Sequence, residues 1–351
     1  MKRWDNMELT ALQKHILAAP EDKIAIQAAA AALKTTTLTE KVRQLLRNGE
    51  DPSRIAVITF TRMAAAELIE RLGEDYKDGI FVGTIHALAA HFLARYGLGA
   101  NIKKVAEDNE FDELFELCKD LDLTGYFDIC FVDEAQDTGT SELDFIFNLL
   151  QPKRYFIVFD IRQSIYGFKG AKPALLMKYL NSTGAKFYSL NENYRNGSQI
   201  LQFAKRIISK IIPDDSVASC GKTGRVVECN WTEDILQQII TDGDYKSWAI
   251  LTRTNKDLDY LQMILRTHKI PFNTFKQGDI TKAQLEKMMN ENKVKLLTIH
   301  SSKGLGFDKV VVYNPQWWGQ DITQINYVAA TRARDLLIWA KVGKKEMVKS
   351  R

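Results

Sequence analysis

The chain has 351 residues, of which 45% are hydrophobic and 26% are charged. These values are typical of a folded protein with two domains of ordinary size, and they exclude collagen-like and largely disordered chains. The 48 Lys and Arg side chains stand against 44 Asp and Glu, a formal charge of +4. That balance permits an anionic partner without requiring one.

The sequence contains no run of 18 apolar residues, so we expect no membrane span and no membrane partner. The first residues lack an apolar segment behind their charges, which predicts no signal peptide. The four cysteines show no C-x-x-C spacing, so we expect free thiols and no zinc site. These features predict a cytoplasmic protein.

Short apolar segments alternate with helical patterns along the chain, as in parallel α/β units. The predicted strands are Lys23–Gln27, Ile55–Thr59, Ile129–Val132, Tyr155–Phe159, Trp248–Thr252, Leu296–Ile299 and Val310–Tyr313. The clearest helical patterns are Ala64–Leu72, Ile85–Tyr96 and Ser198–Ile212, and the segment from Pro213 to Gly224 predicts a surface loop. We therefore expect an α/β fold, for which two similar halves are plausible.

The first predicted strand leads through five alanines and a leucine into Lys34-Thr35, followed by a helical pattern. In a P-loop, Lys34 would reach the β- and γ-phosphates of a nucleotide and the Thr35 hydroxyl would bind Mg²⁺. The loop contains no glycine, and an alanine-rich stretch before a lysine is by itself more typical of an ordinary helix. A second Gly-Lys-Thr, at 221–223, follows a loop and precedes a strand-like segment, so we do not predict a phosphate site there.

Two adjacent carboxylates, Asp133 and Glu134, follow an apolar strand, as a Walker B site requires. Asp133 could hold Mg²⁺ through water, and Glu134 could polarise the attacking water. An Asp-Glu pair after a strand is common, whereas the Ala-Gln-Asp that follows it here is not. This segment therefore favours a nucleotide site over an ordinary helix at Lys34.

Together with other segments, these residues make the sequence resemble the UvrD/Rep-type superfamily 1 DNA helicases. The resembling motifs follow one another in the same order as in that family, from about residue 9 to residue 340. The resembling segments are LTALQ at 9–13 (Q motif), TFTRMAAAE at 59–67 (motif Ia), GTIH at 83–86 (Ib), DIRQSIYGFKGA at 160–171 (III), LNENYR at 190–195 (IV), TIHSSKGL at 298–305 (V) and YVAATRAR at 327–334 (VI). The resemblance implies two RecA-like domains with parallel sheets, residues 1–190 and 191–351, and an ATP cleft between them.

The resemblance also assigns roles toward Mg²⁺ and ATP. Gln13 would read the adenine, Tyr194 would stack on it, and Gln163 would sense the γ-phosphate. Arg195 and Arg332 would act as arginine fingers, because a planar guanidinium group matches phosphate oxygens.

The implied macromolecular partner is single-stranded DNA or a junction of single and double strands, with a loading or accessory protein as a further partner. The candidate contacts carry rings for stacking or hydroxyl, imidazole and cationic groups for phosphates: Phe60, Thr84, His86, Tyr166, Phe168, Arg253, His300 and Lys303. For Tyr166 and Phe168, which flank a glycine, we favour base contact over core packing. For Phe60 and His86, contact with DNA and simple burial stay open.

Four substitutions depart from the family pattern. Ala31 and Leu33 stand where members usually carry glycines, and a Cβ at a left-handed position costs about 1–2 kcal/mol. We therefore expect weakened nucleotide binding. Gly306 stands where motif V carries a glutamate, and Lys169 stands where motif III carries an arginine.

Two intervals are also short. Only 46 residues separate His86 from Asp133, and 44 separate Arg253 from Thr298. Larger relatives insert accessory subdomains in these intervals, so we expect a compact motor core.

Two functions are compatible with these features. The first is an ATP-dependent DNA translocase or helicase that moves 3′→5′ along single-stranded DNA. The second is a helicase-derived protein that binds DNA or a partner without turnover. The retained carboxylates and arginines favour the first, and the missing glycines favour the second. The expected location is the cytoplasm, at the nucleoid or, for a mobile element, in the host cell.

Overall fold

The computed structural model describes residues 8–73, 79–108, 111–275, 280–315 and 321–343. Within these ranges the chain forms two compact units. Unit 1 comprises the chain up to Ala28 together with Leu33–Leu190, and unit 2 comprises Ala29–Ala32 together with the chain from Asn191 onward. Within unit 2, Asn193 Nδ2 donates a hydrogen bond to the Ala30 carbonyl at 2.9 Å.

A six-stranded sheet, all of whose described pairs are parallel, forms the centre of unit 1. Its strands are β1 Lys23–Ala28, β2 Ile55–Thr59, β3 Phe81–Thr84, β4 Ile129–Asp133, β5 Arg154–Phe159 and β6 Lys186–Leu190. They lie in the order β3-β2-β4-β5-β1-β6. The four strands predicted for this half are confirmed, whereas β3 and β6 were not predicted.

Helices surround this sheet. They are α1 Ala11–Leu17, α2 Lys34–Arg47, α3 Arg62–Leu72, α4 Ile85–Arg95, α5 Gly99–Asp108, α6 Glu113–Cys118, α7 Thr140–Asp144 and α8 Pro173–Ser182. Threonines at the ends of strands start two of them, since Thr61 and Thr84 accept hydrogen bonds from the N–H groups of Ala64 and Ala87. Packing of apolar rings, such as Phe115 on Phe145 at 5.3 Å between centroids, fills the core.

Unit 2 contains a second six-stranded sheet, in the order β11-β12-β10-β13-β14-β9, with parallel pairing throughout its described strands. The strands of this unit are β7 Glu192–Asn193, β8 Val217–Ala218, β9 Arg225–Asn230, β10 Trp248–Thr252, β11 Phe272–Asn273, β12 Val294–Thr298, β13 Phe307–Tyr313 and β14 Ala333–Lys341. The helices are α9 Ser198–Ile208, α10 Glu233–Asp242, α11 Asn255–Thr267, α12 Lys282–Asn290 and α13 Ile322–Ala330. The α/β prediction is confirmed.

Parallel pairing places the functional segments. Because the strands of each sheet run in one direction, their carboxyl ends lie along one edge, where open α/β sheets bind ligands. In unit 1 that edge carries the segments after β1, β4 and β5. In unit 2 it carries the segments after β10 and β12, which are adjacent strands. Among the residues that the structure describes, none of the helices has the length and apolar character needed to cross a bilayer.

Candidate functional site

The segment between β1 and α2 is a loop without a glycine. β1 ends at Ala28 and α2 begins at Lys34, so the predicted strand–loop–helix is confirmed and the ordinary-helix alternative is wrong. Ala31 and Leu33 adopt φ values of 56° and 57°, in the left-handed region that glycine occupies without steric cost. These two residues, which we expected at glycine positions, therefore carry backbone strain of about 1–2 kcal/mol each.

Lys34 is buried and forms an ion pair with a carboxylate of the same unit. Its Nζ lies 2.9 Å from Oε1 of Glu134. Burial by itself would lower the pKa of Lys34, but the negative charges of Glu134, Asp160 and Asp133 outweigh it, and the pKa lies above its usual value. The side chain is therefore a fixed positive charge at the start of a helix, where phosphate groups bind well.

Thr35 and Asp133 meet at the predicted metal position. Thr35 Oγ1 donates to Asp133 Oδ2 at 2.9 Å, and Asp133 is 2% exposed. Burial, followed by repulsion from Glu134, raises the pKa of Asp133 to about 6. A cation would offset this crowding of negative charge, so the two oxygen donors fit Mg²⁺. Within the described ranges no group of three or more His, Cys, Asp or Glu could hold a metal, and phosphates and waters would complete the shell of ligands.

Glu134 follows β4 in a strained backbone conformation. Its φ of 54° lies in the left-handed region, which non-glycine residues adopt where the surroundings impose it. One carboxylate oxygen pairs with Lys34, and the other accepts a hydrogen bond from Gln136 Nε2. Two partners thus hold the carboxylate that was predicted to polarise the attacking water.

A buried polar network connects Gln136 to Gln163, the predicted γ-phosphate sensor. Gln136 Oε1 accepts a hydrogen bond from the backbone N–H of Asp160 at 2.8 Å. The Asp160 carboxylate accepts bonds from Gln163 Nε2 and from Arg162 Nε, both at 2.7 Å. The structure therefore brings Gln163 into one network with the Glu134 carboxylate.

Gln13, predicted to read adenine, lies against the first turn of α2. Its Oε1 accepts a bond from the Thr10 backbone N–H at 2.9 Å, and its Nε2 donates to Thr37 Oγ1 at 2.8 Å. The side chain is 2% exposed. Contact with a base stays a prediction, and the observed role is to join α1 to α2.

Tyr194, predicted to stack on the adenine, is half-buried in unit 2. Its hydroxyl donates to Glu192 Oε2 at 2.7 Å. Burial, together with this hydrogen bond, raises the pKa of Tyr194 to about 12. The ring therefore belongs to a neutral phenol whose orientation is set by one carboxylate.

The two predicted arginine fingers meet at Thr331. Arg195 Nη1 donates to the Thr331 carbonyl at 3.4 Å, and Arg332 Nη2 donates to the Thr331 hydroxyl at 3.1 Å. Arg332 is 1% exposed, and its Nε donates to the Val328 carbonyl at 2.9 Å. A Cβ on Gly306 would lie 2.9 Å from Arg195 Nε. The absence of a side chain at Gly306 thus gives the Arg195 side chain its space.

The three aromatic candidates for DNA contact form one cluster in unit 1. The Tyr166 ring lies 5.4 Å from the ring of Phe60 and 6.1 Å from that of Phe168. Tyr166 is only 3% exposed, whereas Phe168 is 65% exposed. The structure therefore favours core packing for Tyr166, contrary to the base contact that we favoured from its place beside a glycine. Phe168 presents its ring to solvent, as a stacking platform requires.

Motif Ib provides a helix cap and a half-buried imidazole. The Thr84 hydroxyl caps α4. His86 Nδ1 lies 3.5 Å from Glu142 Oε1, and Nε2 lies 3.7 Å from Asp112. Desolvation lowers the pKa of His86, although Asp112 opposes it. Burial raises the pKa of Glu142 to about 7, and the negative charges of Asp112 and Asp137 contribute to the rise. The hydrogen bond from the Gly139 N–H acts in the opposite direction.

The candidates in unit 2 lie at the carboxyl ends of two adjacent strands. Arg253 follows β10, and His300 and Lys303 follow β12, whose next residue, Ile299, donates to the Thr252 carbonyl at 2.8 Å. Nη1 of Arg253 is buried without a hydrogen-bond partner among the described residues. A buried, unsatisfied cationic donor is costly, so a phosphate oxygen would suit this position.

Three residues of the site were not predicted from the sequence: Gln136, Asp160 and Glu142. Gln136 lies in the predicted Walker B segment and Asp160 in motif III, but their hydrogen bond depends on the pairing of β4 with β5. Glu142 could not be predicted, because no local sequence pattern indicates that α7 lies beside His86.

Comparison with known proteins gives matches along most of the chain. The UvrD/REP helicase N-terminal domain matches residues 9–124 and 121–183. The UvrD-like helicase C-terminal domain matches residues 188–280 and 278–343.

Curated relatives are helicases. The ATP-dependent DNA helicase Rep of Escherichia coli is 23% identical over 350 residues, covering 70% of this chain and 52% of Rep. The ATP-dependent DNA helicase PcrA of Leuconostoc citreum is 26% identical over 359 residues, covering 72% of this chain and 48% of PcrA. DNA helicase II of E. coli is 24% identical over 284 residues, covering 56% of this chain and 39% of the relative. The chain spans about half the length of these relatives, or less.

Ala31→Gly should stabilise the protein. The substitution removes a Cβ from a left-handed position, which raises the free energy of unfolding by about 1–2 kcal/mol. Glycine also gives the unfolded chain more conformational freedom, and this lowers the gain by about 0.5–1 kcal/mol. Ala32→Gly is the matched control, because Ala32 lies in the same loop without a positive φ. The control should lower the melting temperature and Ala31→Gly should raise it. Shifts of the same sign in calorimetry would contradict the strain at Ala31.

Glu142→Gln should alter how stability depends on pH. A carboxyl with a pKa of about 7 in the folded state, against 4.5 ordinarily, loses stabilisation as pH rises from about 4.5 through 7. The amide does not titrate. The stability of the variant relative to the wild type should therefore rise by about 1–3 kcal/mol between pH 5 and pH 8. Calorimetric melting at both values measures this, with Glu116→Gln, whose side chain is 59% exposed, as control. A constant difference would show that Glu142 titrates normally.

Proposed function

The chain belongs to the UvrD/Rep helicase family, and from that premise we propose that it is an ATP-dependent translocase or helicase that moves 3′→5′ along single-stranded DNA. The observation that carries the proposal is the ion pair of Lys34 with Glu134, beside the contact of Thr35 with Asp133. These two contacts bring together in unit 1 the lysine and the carboxylates that a nucleotide site requires. Its relatives Rep and PcrA are named as ATP-dependent DNA helicases.

In the proposed reaction, Lys34 binds the β- and γ-phosphates of ATP, and Thr35 and Asp133 would hold Mg²⁺. When bound there, the ion would supply positive charge opposite the phosphate oxygens. Glu134 accepts the proton of the attacking water. Lys34 cannot pair fully with a phosphate and with Glu134 at the same time. Phosphate binding therefore releases the Glu134 carboxylate to act as the base.

Family resemblance assigns Arg195 and Arg332 as arginine fingers and Gln163 as the γ-phosphate sensor. Three features support these assignments. Guanidinium groups suit phosphate oxygens, Thr331 holds both arginines in unit 2, and Gln163 shares a network with the Walker B segment of unit 1.

The proposed DNA grip combines ring stacking with phosphate contacts. In unit 1 the exposed ring of Phe168 supports stacking; it contacts the Tyr166 ring, which in turn contacts that of Phe60. In unit 2 Arg253, whose Nη1 is buried without a hydrogen-bond partner among the described residues, and Lys303 carry positive charges that suit phosphates. Stacking and charge together give tight binding that tolerates any base sequence.

A second candidate function is binding of DNA without turnover. The left-handed backbone of Ala31 and Leu33 favours it, because the strain and the Leu33 side chain weaken the phosphate loop. The two candidates differ in one measurable property, which is phosphate release stimulated by DNA.

Glu134→Gln should abolish DNA-stimulated phosphate release from Mg-ATP while DNA binding persists. The amide cannot accept the proton of the attacking water, and losing such a base costs about 10²–10⁴-fold in rate. Glu50→Gln is the matched control in the same unit, because the Glu50 side chain pairs with Arg154. A wild-type protein without turnover but with tight DNA binding would favour the second candidate. Full turnover by Glu134→Gln would refute the assigned role.

Phe168→Ala should weaken binding of a single-stranded oligonucleotide by about 1–3 kcal/mol, the usual contribution of a stacked base. Phe187→Ala is the control, since Phe187 is also an exposed ring of unit 1, at 37%, but lies on the edge strand β6. Fluorescence anisotropy at fixed salt measures both affinities. Equal affinities of the two variants would remove Phe168 from the DNA contact.

A further inference from the structure

Gln136 is a fully buried side chain that the proposed chemistry leaves without a role. It lies in the short turn Ala135–Asp137 directly after β4. Its Nε2 donates to Glu134 Oε2 and lies 3.5 Å from Asp137 Oδ2, and its Oε1 accepts from the Asp160 N–H at 2.8 Å. The side chain is therefore a bridge between two segments.

The bridge joins the ends of two adjacent parallel strands. Glu134 follows β4, and Asp160 follows β5. A second bond strengthens the same connection, because Ser164 Oγ donates to the Gln136 carbonyl at 3.1 Å. Beyond Asp160 the chain continues through Gln163 to Phe168. One end of the bridge thus touches the predicted base of hydrolysis, and the other holds the segment that carries the phosphate sensor and the exposed ring.

The chemistry of the two ends explains why this side chain is an amide. A carboxylate only accepts hydrogen bonds and a backbone N–H only donates them, so the bridge must donate at one end and accept at the other. Asn is one methylene shorter, Glu lacks the donor, and Lys and Arg lack the acceptor. In a fully buried position an unmatched end is costly, which makes Gln136 specific for this geometry.

We propose that Gln136 is a positioning residue that couples nucleotide binding at Glu134 to the segment 160–168. This inference rests on the proposed function, in which phosphate takes Lys34 from Glu134. The Glu134 carboxylate still accepts the hydrogen bond from Gln136 Nε2, so a shift of the carboxylate moves the amide. The amide passes the shift to the Asp160 N–H, and Asp160 passes it to Gln163 through its carboxylate.

Gln136→Met tests the coupling, because methionine matches the length and burial of the side chain but makes neither hydrogen bond. We expect the ratio of DNA-stimulated to unstimulated phosphate release to fall about tenfold or more. The KM for ATP and the affinity for single-stranded DNA should change less than about twofold, since the residue contacts neither ligand. A general loss of folding would instead move all of these quantities together.

Thr138→Val is the matched structural control. Thr138 is buried in the same turn and donates to the Ala135 carbonyl at 2.6 Å, but it takes no part in the bridge. The control should retain the wild-type stimulation ratio. An equal fall in both variants, or no fall in Gln136→Met, would overturn the coupling role and leave Gln136 as a structural residue.

Hydrogen exchange separates failure of this inference from failure of the proposed function. Mg²⁺ with adenylyl imidodiphosphate should alter exchange of the Asp160 amide and its neighbours up to residue 168 in the wild type, and should not do so in Gln136→Met. If the wild type hydrolyses no ATP, the motor proposal fails, and this exchange pattern alone decides the inference. An unaltered wild type, or the same change in both proteins, would refute it.

Discussion

The ion pair between Lys34 and Glu134 is the interaction at the centre of the candidate site in unit 1. It joins the start of α2 to the end of β4 at 2.9 Å in a mostly buried position. Thr35 and Asp133, the adjacent residues, form a second bond between the same two elements. Gln136 then extends the connection to β5. A single site of charge compensation thus organises three neighbouring segments at the carboxyl edge of the sheet.

Strain is concentrated around this ion pair. Ala31, Leu33 and Glu134 all have left-handed backbone angles, and each lies within three residues of Lys34 or is its partner. Such conformations persist only where the surroundings determine them. The fully buried Ala29 and Ala30 and the bond from Asn193 to the Ala30 carbonyl supply that constraint. The loop is therefore held in a backbone conformation that its sequence disfavours.

Local sequence predicted the parts of this site whose position follows from strand and turn order. Lys34 and Asp133 were found because each follows an apolar strand, and parallel strands bring their carboxyl ends to one edge. The role of Gln136 could not be predicted, since it depends on the register of β4 against β5. The burial of Tyr166 was missed because a residue beside a glycine gives no periodic signal. Gly306 appeared as a lost contact, whereas the space it leaves for Arg195 emerges only in three dimensions.

The energetics of the ion pair suit it to control hydrolysis in the proposed function. Removing one partner from a buried charge pair costs about 3–5 kcal/mol, because the other charge is left uncompensated. Lys34 therefore leaves Glu134 only when another anion replaces the carboxylate, and the γ-phosphate of ATP is such an anion. Glu134 becomes available as a base only when the substrate is in place. The same exchange alters the bond to Gln136, so the event that permits hydrolysis also reaches Asp160 and Gln163.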